Sequence, residues 1–404
     1  VTVGLNLIYL VPGEIGGMET VARELLPHLP SQAPGLEWVA FFSREGFAAV
    51  REGDLELPEP IRTVEVPVRS ANRTNRVLAE QGALPYLAAR NGVSLLHSLA
   101  STAPRIAPCK QVVTVHDLIY LHYPEAHQGV RSVGVRLLVP VAVRAAQLVL
   151  VPSLATKRDL ERLLGVAASR IEVVPWGVRK PTDPAPEEVE RVRLTHRLGE
   201  APVVLALSAR RPHKNISGLL RGLAAIPEEE RPILVLPGYH TWHERELVGE
   251  ATALGISSSV RFLGWVDQEE LEALWRSATC FVHPAFYEGF GLPVLEAMAR
   301  GVPVACANAS SLPEVAGDAA LLFDPHDPKA IAAAIQRLIS DEQLREELRR
   351  RGLERASQFS WEAAARKTVR AYAKALGFAA PPASWGVAEE GAVAARDGVG
   401  RTAV

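Results

Sequence analysis

The sequence predicts an α/β protein built from two doubly wound domains of similar size, each around a parallel sheet. Three observations carry that prediction. The chain has 404 residues, too many for one hydrophobic core. Short apolar runs suited to buried parallel strands alternate with helical patterns, the rhythm of βα units with right-handed crossovers. That rhythm breaks at a Pro-rich acidic segment, Pro181 to Glu190, and then restarts, so a domain boundary is expected near Val178.

The first half, residues 1–178, opens on a strand, Val3 to Leu10. A loop from Val11 to Gly17 follows, and then a helix from Met18 to Leu29 with Val21, Leu25, Leu26 and Leu29 at helical spacing. Gly16-Gly17 lets a backbone approach a ligand closely or makes a tight turn; the loop by itself does not decide between the two. Further strands are expected at Trp38–Phe42, Ile61–Val66, Val93–His97, Gln111–His116 and Gln147–Val151, and Ile171–Val178 ends this half. Helical patterns lie near Asn75–Arg90, Gly129–Ala146 and Ala155–Leu164. Ligands of such sheets sit at the carboxyl ends of strands, and Gly16-Gly17, His97 and His116 all fall there.

The second half, residues 179–360, repeats the pattern. Val203–Leu207 is a strand, and the loop Ser208 to Asn215 leads into a helix from Ile216. Ile233–Leu236 and Val260–Leu263 are strands; Gly264-Trp265-Val266-Asp267 follows the second. The run Thr279 to Pro284 is a buried strand, then a loop with Gly289 and Gly291, then a helix with Pro293 in its first turn. Val302–Ala307 and Ala320–Phe323 complete the sheet. Helices are expected at Pro328–Ile339 and Asp341–Arg351, and a last amphipathic helix at Trp361–Leu376. Residues 379–404 are Ala, Gly, Pro and Val with scattered charges, and a disordered or loosely attached tail is expected there.

Composition narrows the function. Apolar residues make up 48% and charged residues 22%, the balance of a soluble globular protein. The net charge of -2 gives no electrostatic footing for nucleic acid. Cys109, Cys280 and Cys306 are far apart among apolar residues and read as buried free thiols. No basic stretch followed by an apolar signal segment opens the sequence, so a cytoplasmic enzyme is expected. The longest apolar stretch, Val133 to Val151, is interrupted by Arg136, Pro140, Arg144 and Gln147 and fails as a membrane span. It reads as a core helix with solvated arginines, against the alternative of a helix lying on anionic lipid.

The chemistry concentrates in two loops of the second half. Arg210, Arg211 and Lys214 lie between a strand end and a helix, where cations serve an anion better than they serve a merely solvated surface. Gly289, Phe290, Gly291 and Leu292 offer backbone N–H groups at a helix start. Together the two loops suit a diphosphate gripped without a metal, and no carboxylate pair or His/Asp cluster is placed for Mg²⁺. Glu296, one turn into the helix, suits a pair of ribose hydroxyls, or merely complements the helix dipole. Glu288 alone reads as a loop acid; at this spacing around GFGLP the two acids read as one site. His116 closes a strand beside Asp117 and suits a donor to a sugar hydroxyl. His97, His122 and His283 have no comparable support and read as structural.

Glu288-Gly289-Phe290-Gly291-Leu292-Pro293-x-x-Glu296-Ala297-Met298 resembles the E-x7-E signature of retaining GT-B glycosyltransferases of family GT4. Gly16-Gly17-Met18-Glu19 looks like the family's N-terminal Gly loop, and Thr114-Val115-His116-Asp117-Leu118 like its histidine strand. Pro152-Ser153-x-x-x-Lys157-Arg158-Asp159-Leu160, Val174-Pro175-x-Gly177, Pro212-x-Lys214-Asn215 and Ser310-Ser311-Leu312-Pro313-Glu314-Val315 also match. The resemblance implies a GT-B fold, two Rossmann-like domains with parallel sheets facing across a cleft, with the helix at 361–378 crossing back to the N-terminal domain.

It also implies catalytic roles for His116, Glu288, Lys214 and Arg210. Donor binding would fall to Gly16, Gly17, Arg211, Trp265, Val266, Glu296 and the loop Gly289 to Leu292. One departure matters: an arginine common six residues before the lysine is replaced by Ser208, leaving Arg210 or Arg211 to reach the phosphates.

The function so implied is metal-independent, retaining transfer of a hexose, mannose or rhamnose favoured. The donor is a nucleotide sugar, GDP-sugar favoured and UDP- or dTDP-sugar the alternatives; no further cofactor is implied. The acceptor would be a glycan, a lipid-linked intermediate or a small molecule, with peripheral contact to the inner face of the membrane as a further expectation. Two other classes compete, a GT-B nucleotide-sugar epimerase and a non-catalytic nucleotide-sugar binding protein.

Overall fold

A computed structural model describes residues 1–13, 16–124 and 130–387. Part of the Gly loop (14–15), residues 125–129 and most of the tail (388–404) lie outside the described residues.

Thirteen strands among the described residues form two sheets. The first contains β1 (Thr2–Leu7), β2 (Glu37–Phe42), β3 (Ile61–Glu65), β4 (Leu95–Ser98), β5 (Lys110–Thr114), β6 (Leu148–Val151) and β7 (Ile171–Val173), in the order β3-β2-β1-β4-β5-β6-β7. The second contains β8 (Val203–Leu205), β9 (Ile233–Leu236), β10 (Val260–Phe262), β11 (Cys280–His283), β12 (Val304–Ala307) and β13 (Ala320–Phe323), in the order β10-β9-β8-β11-β12-β13. Pairings are parallel throughout the second sheet and from β3 to β6 in the first. From its own first strand the second sheet runs 3-2-1-4-5-6, the Rossmann arrangement, and the first runs the same order with a seventh strand added at its edge. Strands such as Leu148–Val151 and Cys280–His283 are buried along their whole length, which is why they are apolar runs and not alternating ones.

The chain divides into two compact units. One gathers Val1–Thr114, Val141–Leu150 and the segment from Trp361; the other gathers Val115–Pro140 and Val151–Ser360. In the first unit the helix Trp361–Ala375 buries Tyr372, whose hydroxyl lies 2.7 Å from His97 Nδ1, while Thr114 Oγ1 lies 2.7 Å from His97 Nε2. His97 is thus the structural residue the sequence indicates.

Several details differ from expectation. The helix expected over 75–90 is two helices, Arg73–Gln81 and Ala83–Arg90, hinged at Gly82. The acidic break contains the start of a helix, Pro186–Thr195. The tail does not leave the fold at residue 379: Trp385 is 2% exposed, its carbonyl accepts the Gly35 N–H at 3.1 Å, and its ring meets Phe378 edge-on. One large aromatic anchors a segment whose composition otherwise promises little. The helix Val130–Ala145 buries Val139, Ala142 and Val143 and exposes Arg136 and Leu137. Among the described residues no helix is long and apolar enough to cross a membrane. Cys280 and Cys306 are buried free thiols, and Cys109 is half-buried.

Candidate active site in the second unit

The strand order of the second sheet reverses between β8 and β11, and the crevice outside such a switch point is where doubly wound sheets bind ligands. The two loops singled out by the sequence are the ones that leave those two strands.

In the loop after β8, the two arginines have separate fates. Arg210 is 1% exposed. Its Nη2 donates to the carbonyls of Leu236, at 2.6 Å, and Leu263; its Nη1 donates to Gly238 O at 3.2 Å and Glu244 Oε2 at 2.9 Å. A guanidinium so employed ties the ends of β9 and β10 together, and these bonds occupy the fork that would otherwise hold a phosphate. Arg211 is half-buried; burial pushes its pKa down and the Asp117 carboxylate partly restores it, so it belongs to the electrostatic surroundings of the His116–Asp117 segment. Lys214 closes a short helical turn, and Asn215 follows with a left-handed φ of 55°. That conformation suits Asn among L-residues. Its Oδ1 caps the helix Ile216–Ala224 by accepting the Gly218 N–H at 3.2 Å, and its Nδ2 donates to Pro284 O at 3.1 Å and Pro325 O at 2.7 Å. Asn215 therefore locks the lysine loop to the end of β11.

The lock brings Lys214 to Glu288. Lys214 Nζ donates to Glu288 Oε1, and His283 Nε2 lies 2.8 Å from the same oxygen. Burial pushes the Glu288 pKa up, but Lys214 and His283 together outweigh it and hold the carboxyl well below the usual carboxylate range. The neighbouring Asp117 goes the other way. Burial raises it, the Ile119 N–H at 3.0 Å, His116 and Lys214 offset part of the rise, and Glu288 adds to it. Two carboxyl groups with pKa values driven apart are the electrostatic mark of a site with divided tasks.

The loop after Glu288 is fixed by hydroxyls from two distant segments. Ser310 donates to Glu288 O at 2.6 Å, Ser153 and Thr156 to Gly289 O at 2.7 and 3.1 Å, and the single Ser311 hydroxyl hydrogen serves Phe290 O at 2.7 Å, with Glu288 O also within reach at 2.9 Å. In a trans peptide the C=O and the following N–H point in opposite directions. The N–H groups of Gly289, Phe290 and Gly291 are thereby aimed away from the hydroxyls that hold the preceding carbonyls. Ser310 adopts a left-handed φ of 52°, a backbone cost accepted where the loop is held. Gly289 is required by space: a Cβ there would sit 2.0 Å from His116 O. Gly291, at φ 110°, is the N-cap of the helix Leu292–Ala299. Phe290 is buried, its ring edge-on to Trp176 at 5.2 Å, and the Trp176 ring lies 5.3 Å from that of His116.

The structure thus brings Lys214, Glu288 and the start of the Gly loop together, and places His116 against Gly289. Glu296 is half-buried one turn into its helix. Trp265 is 67% exposed and stacks on Tyr239 at 4.6 Å beyond β10, with half-buried Val266 beside it. Gly16 and Gly17 belong to the first unit, as N-cap and first residue of the helix Gly17–Leu25. The sequence reading misses His283, which it leaves as structural and which touches Glu288. It also gives no task to the serines. The matching motifs around Ser153 and Ser310 are the signal that points to them. Among the described residues no three His, Cys, Asp or Glu side chains come together as a metal site.

Comparison with known proteins gives a consistent result. A family profile for glycosyl transferases group 1 matches residues 190–355, and one for glycosyltransferase family 4 matches residues 15–180. The O-antigen chain mannosyltransferase B of Escherichia coli is 38% identical over 269 residues, 65% of this chain and 70% of that protein. Further curated mannosyltransferases of the same organism are longer, and the matches span 33–34% of their length. Sucrose-phosphate synthase from Thermosynechococcus elongatus superposes with a TM-score of 0.74 at 23% identity, covering 92% of this chain and 98% of that one. Anabaena HepE, solved with UDP and glucose, superposes with a TM-score of 0.71 at 21% identity, covering 92% and 99%. The two structural likenesses speak to fold alone.

Proposed function

The chain belongs to the group 1 glycosyltransferases of family 4, with the GT-B fold of two Rossmann-like halves, and from that premise we propose that it moves a hexose, mannose favoured, from a nucleotide sugar to an acceptor hydroxyl with retention. The observation that carries the reading is the Lys214–Glu288–His283 cluster at the strand-order switch point, beside a glycine loop whose carbonyls are all engaged. A leaving diphosphate would be met by Lys214, Arg211, the N–H groups of Gly289 to Leu292 and the positive end of the helix Leu292–Ala299. These charges perform the neutralisation that a metal performs elsewhere, which is the basis for proposing metal-independent transfer. Arg210 is not assigned to phosphate, because the ends of β9 and β10 use its guanidinium.

The remaining roles follow from position. Glu288, held as an anion, accepts hydroxyls of the donor sugar. His116 donates to that sugar from the other side of Gly289, and Glu296 accepts the ribose hydroxyls. Trp265 and Val266 lie at the nucleoside end, and Gly16 and Gly17 are proposed donor-binding residues of the first unit. Retention without a protein nucleophile requires the acceptor hydroxyl to attack on the face the diphosphate leaves, so catalysis rests on charge stabilisation and alignment.

A GDP-sugar donor is favoured, with UDP- and dTDP-sugars as alternatives, and a glycan or lipid-linked acceptor; relatives described as O-antigen chain and serotype-specific mannosyltransferases support the sugar and not the base. Action at the inner face of the membrane is part of the same proposal. A thermal-shift screen with GDP, UDP, ADP and dTDP tests it: GDP should give the largest shift, and GDP-mannose should then be hydrolysed slowly without acceptor. No shift with any of the four nucleotides contradicts the reading.

A further inference from the structure

Next to Glu288 lies a buried polar cluster that the proposed chemistry does not use. Tyr287 and Asp159 are both buried, at 6% and 8% exposure. The Tyr287 hydroxyl donates to Asp159 Oδ2 at 2.9 Å and accepts the Leu118 N–H at 3.2 Å. His122 Nε2 reaches the same carboxylate oxygen at 2.8 Å, with its ring 4.7 Å from that of Tyr287. Arg162 Nη2 covers the other oxygen at 3.3 Å. One hydroxyl therefore joins three separate pieces of chain: the loop carrying Glu288, the segment two residues beyond His116, and the helix Leu154–Leu164.

A phenylalanine would fill the Tyr287 site equally well by volume. A buried carboxylate and hydroxyl repay their desolvation only through these bonds. Burial, reinforced by Asp117 and Asp159, pushes the ionisation of Tyr287 far up, so its hydroxyl stays a donor to Asp159 at any working pH. The bond direction is thus fixed: Leu118 N–H to Tyr287, Tyr287 to Asp159.

We propose that Asp159 is a positioning residue for transfer, acting through Tyr287 to hold Glu288 and the N–H groups of its loop in register with His116; the proposal rests on the transferase reading above. On this reading Asp159 acts through Tyr287 and not directly on donor or acceptor. Its effect is on alignment, so it should appear in kcat and not in donor affinity.

The test compares full-length Asp159→Asn, Tyr287→Phe and the double variant with the parent chain. Steady-state kinetics and amide hydrogen exchange over 117–122 and 285–292 are both read. Each single variant should lose roughly tenfold in kcat with donor KM within about twofold. The double variant should be no worse than either single one, since both break one link. Exchange should rise in both segments together. Should Asp159→Asn fail to fold, Tyr287→Phe, which removes one oxygen, carries the same test. Unchanged exchange in a folded variant overturns the proposal, as do single effects that multiply in the double. A parent chain that turns over no nucleotide sugar, with exchange still rising in both segments, overturns the transferase reading and leaves the link standing.

Discussion

Two of the glycine loops at strand ends, one in each unit, are built on different principles. At Gly289 a Cβ would meet His116 O at 2.0 Å, and at Gly291 it would meet Leu312 at 2.8 Å. The three carbonyls from Glu288 to Phe290 are each held by a side-chain hydroxyl. At Gly16 and Gly17 a Cβ meets nothing within 4 Å among the described residues, and only Gly16, at φ 64°, needs glycine for its backbone. The second-unit loop is a finished surface, assembled by its own unit before any ligand arrives. The first-unit loop has room that no described residue fills. A shared residue type thus hides two physical reasons for glycine, close approach of protein and openness.

That contrast can be broken most forcefully at Gly289. Gly289→Ala should abolish most transfer and cost about 1–3 kcal/mol of stability, because the new methyl overlaps a backbone carbonyl that cannot rotate away. Retained activity with an unchanged Tm would show that the loop is not tightly built. Next come the two arginines, which repeat the contrast within one loop. Arg210→Ala should lower stability by about 2–4 kcal/mol, since the Gly238 and Leu263 carbonyls lose the buried guanidinium they accept from and the ends of β9 and β10 lose their tie. Arg211→Ala should leave Tm nearly unchanged and lower kcat by about a hundredfold. The reverse pattern in thermal melts and initial rates would exchange their assignments.

The open loop predicts smaller effects. Gly16→Ala should cost about 1–3 kcal/mol, because φ 64° with ψ -134° is a backbone conformation that L-residues rarely adopt. Gly17→Ala, at the first position of a helix, should not destabilise. A fall in transfer by Gly17→Ala at unchanged Tm would mean that a ligand takes up the space the protein leaves. Unchanged transfer would make Gly17 a turn residue.

The smallest effect concerns pH. The raised pKa of Asp117 means that the folded state binds its proton more readily than the unfolded chain. Its stabilisation is present below the ordinary aspartate value and is lost as pH rises through the folded pKa. Asp117→Asn, which keeps the acceptor for the Ile119 N–H, should flatten that fall and gain stability at pH 7 relative to pH 4. Glu288 is shifted downward, so its contribution persists above the ordinary glutamate value and is lost only as pH falls through the depressed one. An Asp117→Asn melt series parallel to the parent's would contradict the first assignment.

Much of this was legible in the sequence, and the exceptions have physical causes. Two parallel sheets could be read from apolar runs alternating with helices; the strand order within each comes from the fold. The glycine loop, Lys214 and Glu288 could be placed because chain position alone puts them at strand ends. Arg210 and Arg211 could not be distinguished, because their difference lies in whether carbonyls from β9 and β10 reach the guanidinium. His283 was passed over because a lone histidine within a strand carries no sign of its partner five residues on. The hydroxyls of Ser153, Thr156, Ser310 and Ser311 act on carbonyls more than twenty residues away in sequence, and only the fold brings them there. Trp385 was missed for a related reason: a tail of small residues hides one anchoring side chain.

The central claim is that Lys214, held beside Glu288, serves the donor's diphosphate. The most direct test is the initial rate of hexose transfer or release from GDP-mannose, and from UDP- and dTDP-hexoses, by the parent chain and by Lys214→Ala at matched Tm. The account predicts turnover by the parent and a loss of about 10²–10³-fold in kcat for the variant. A folded Lys214→Ala protein with full activity would contradict it.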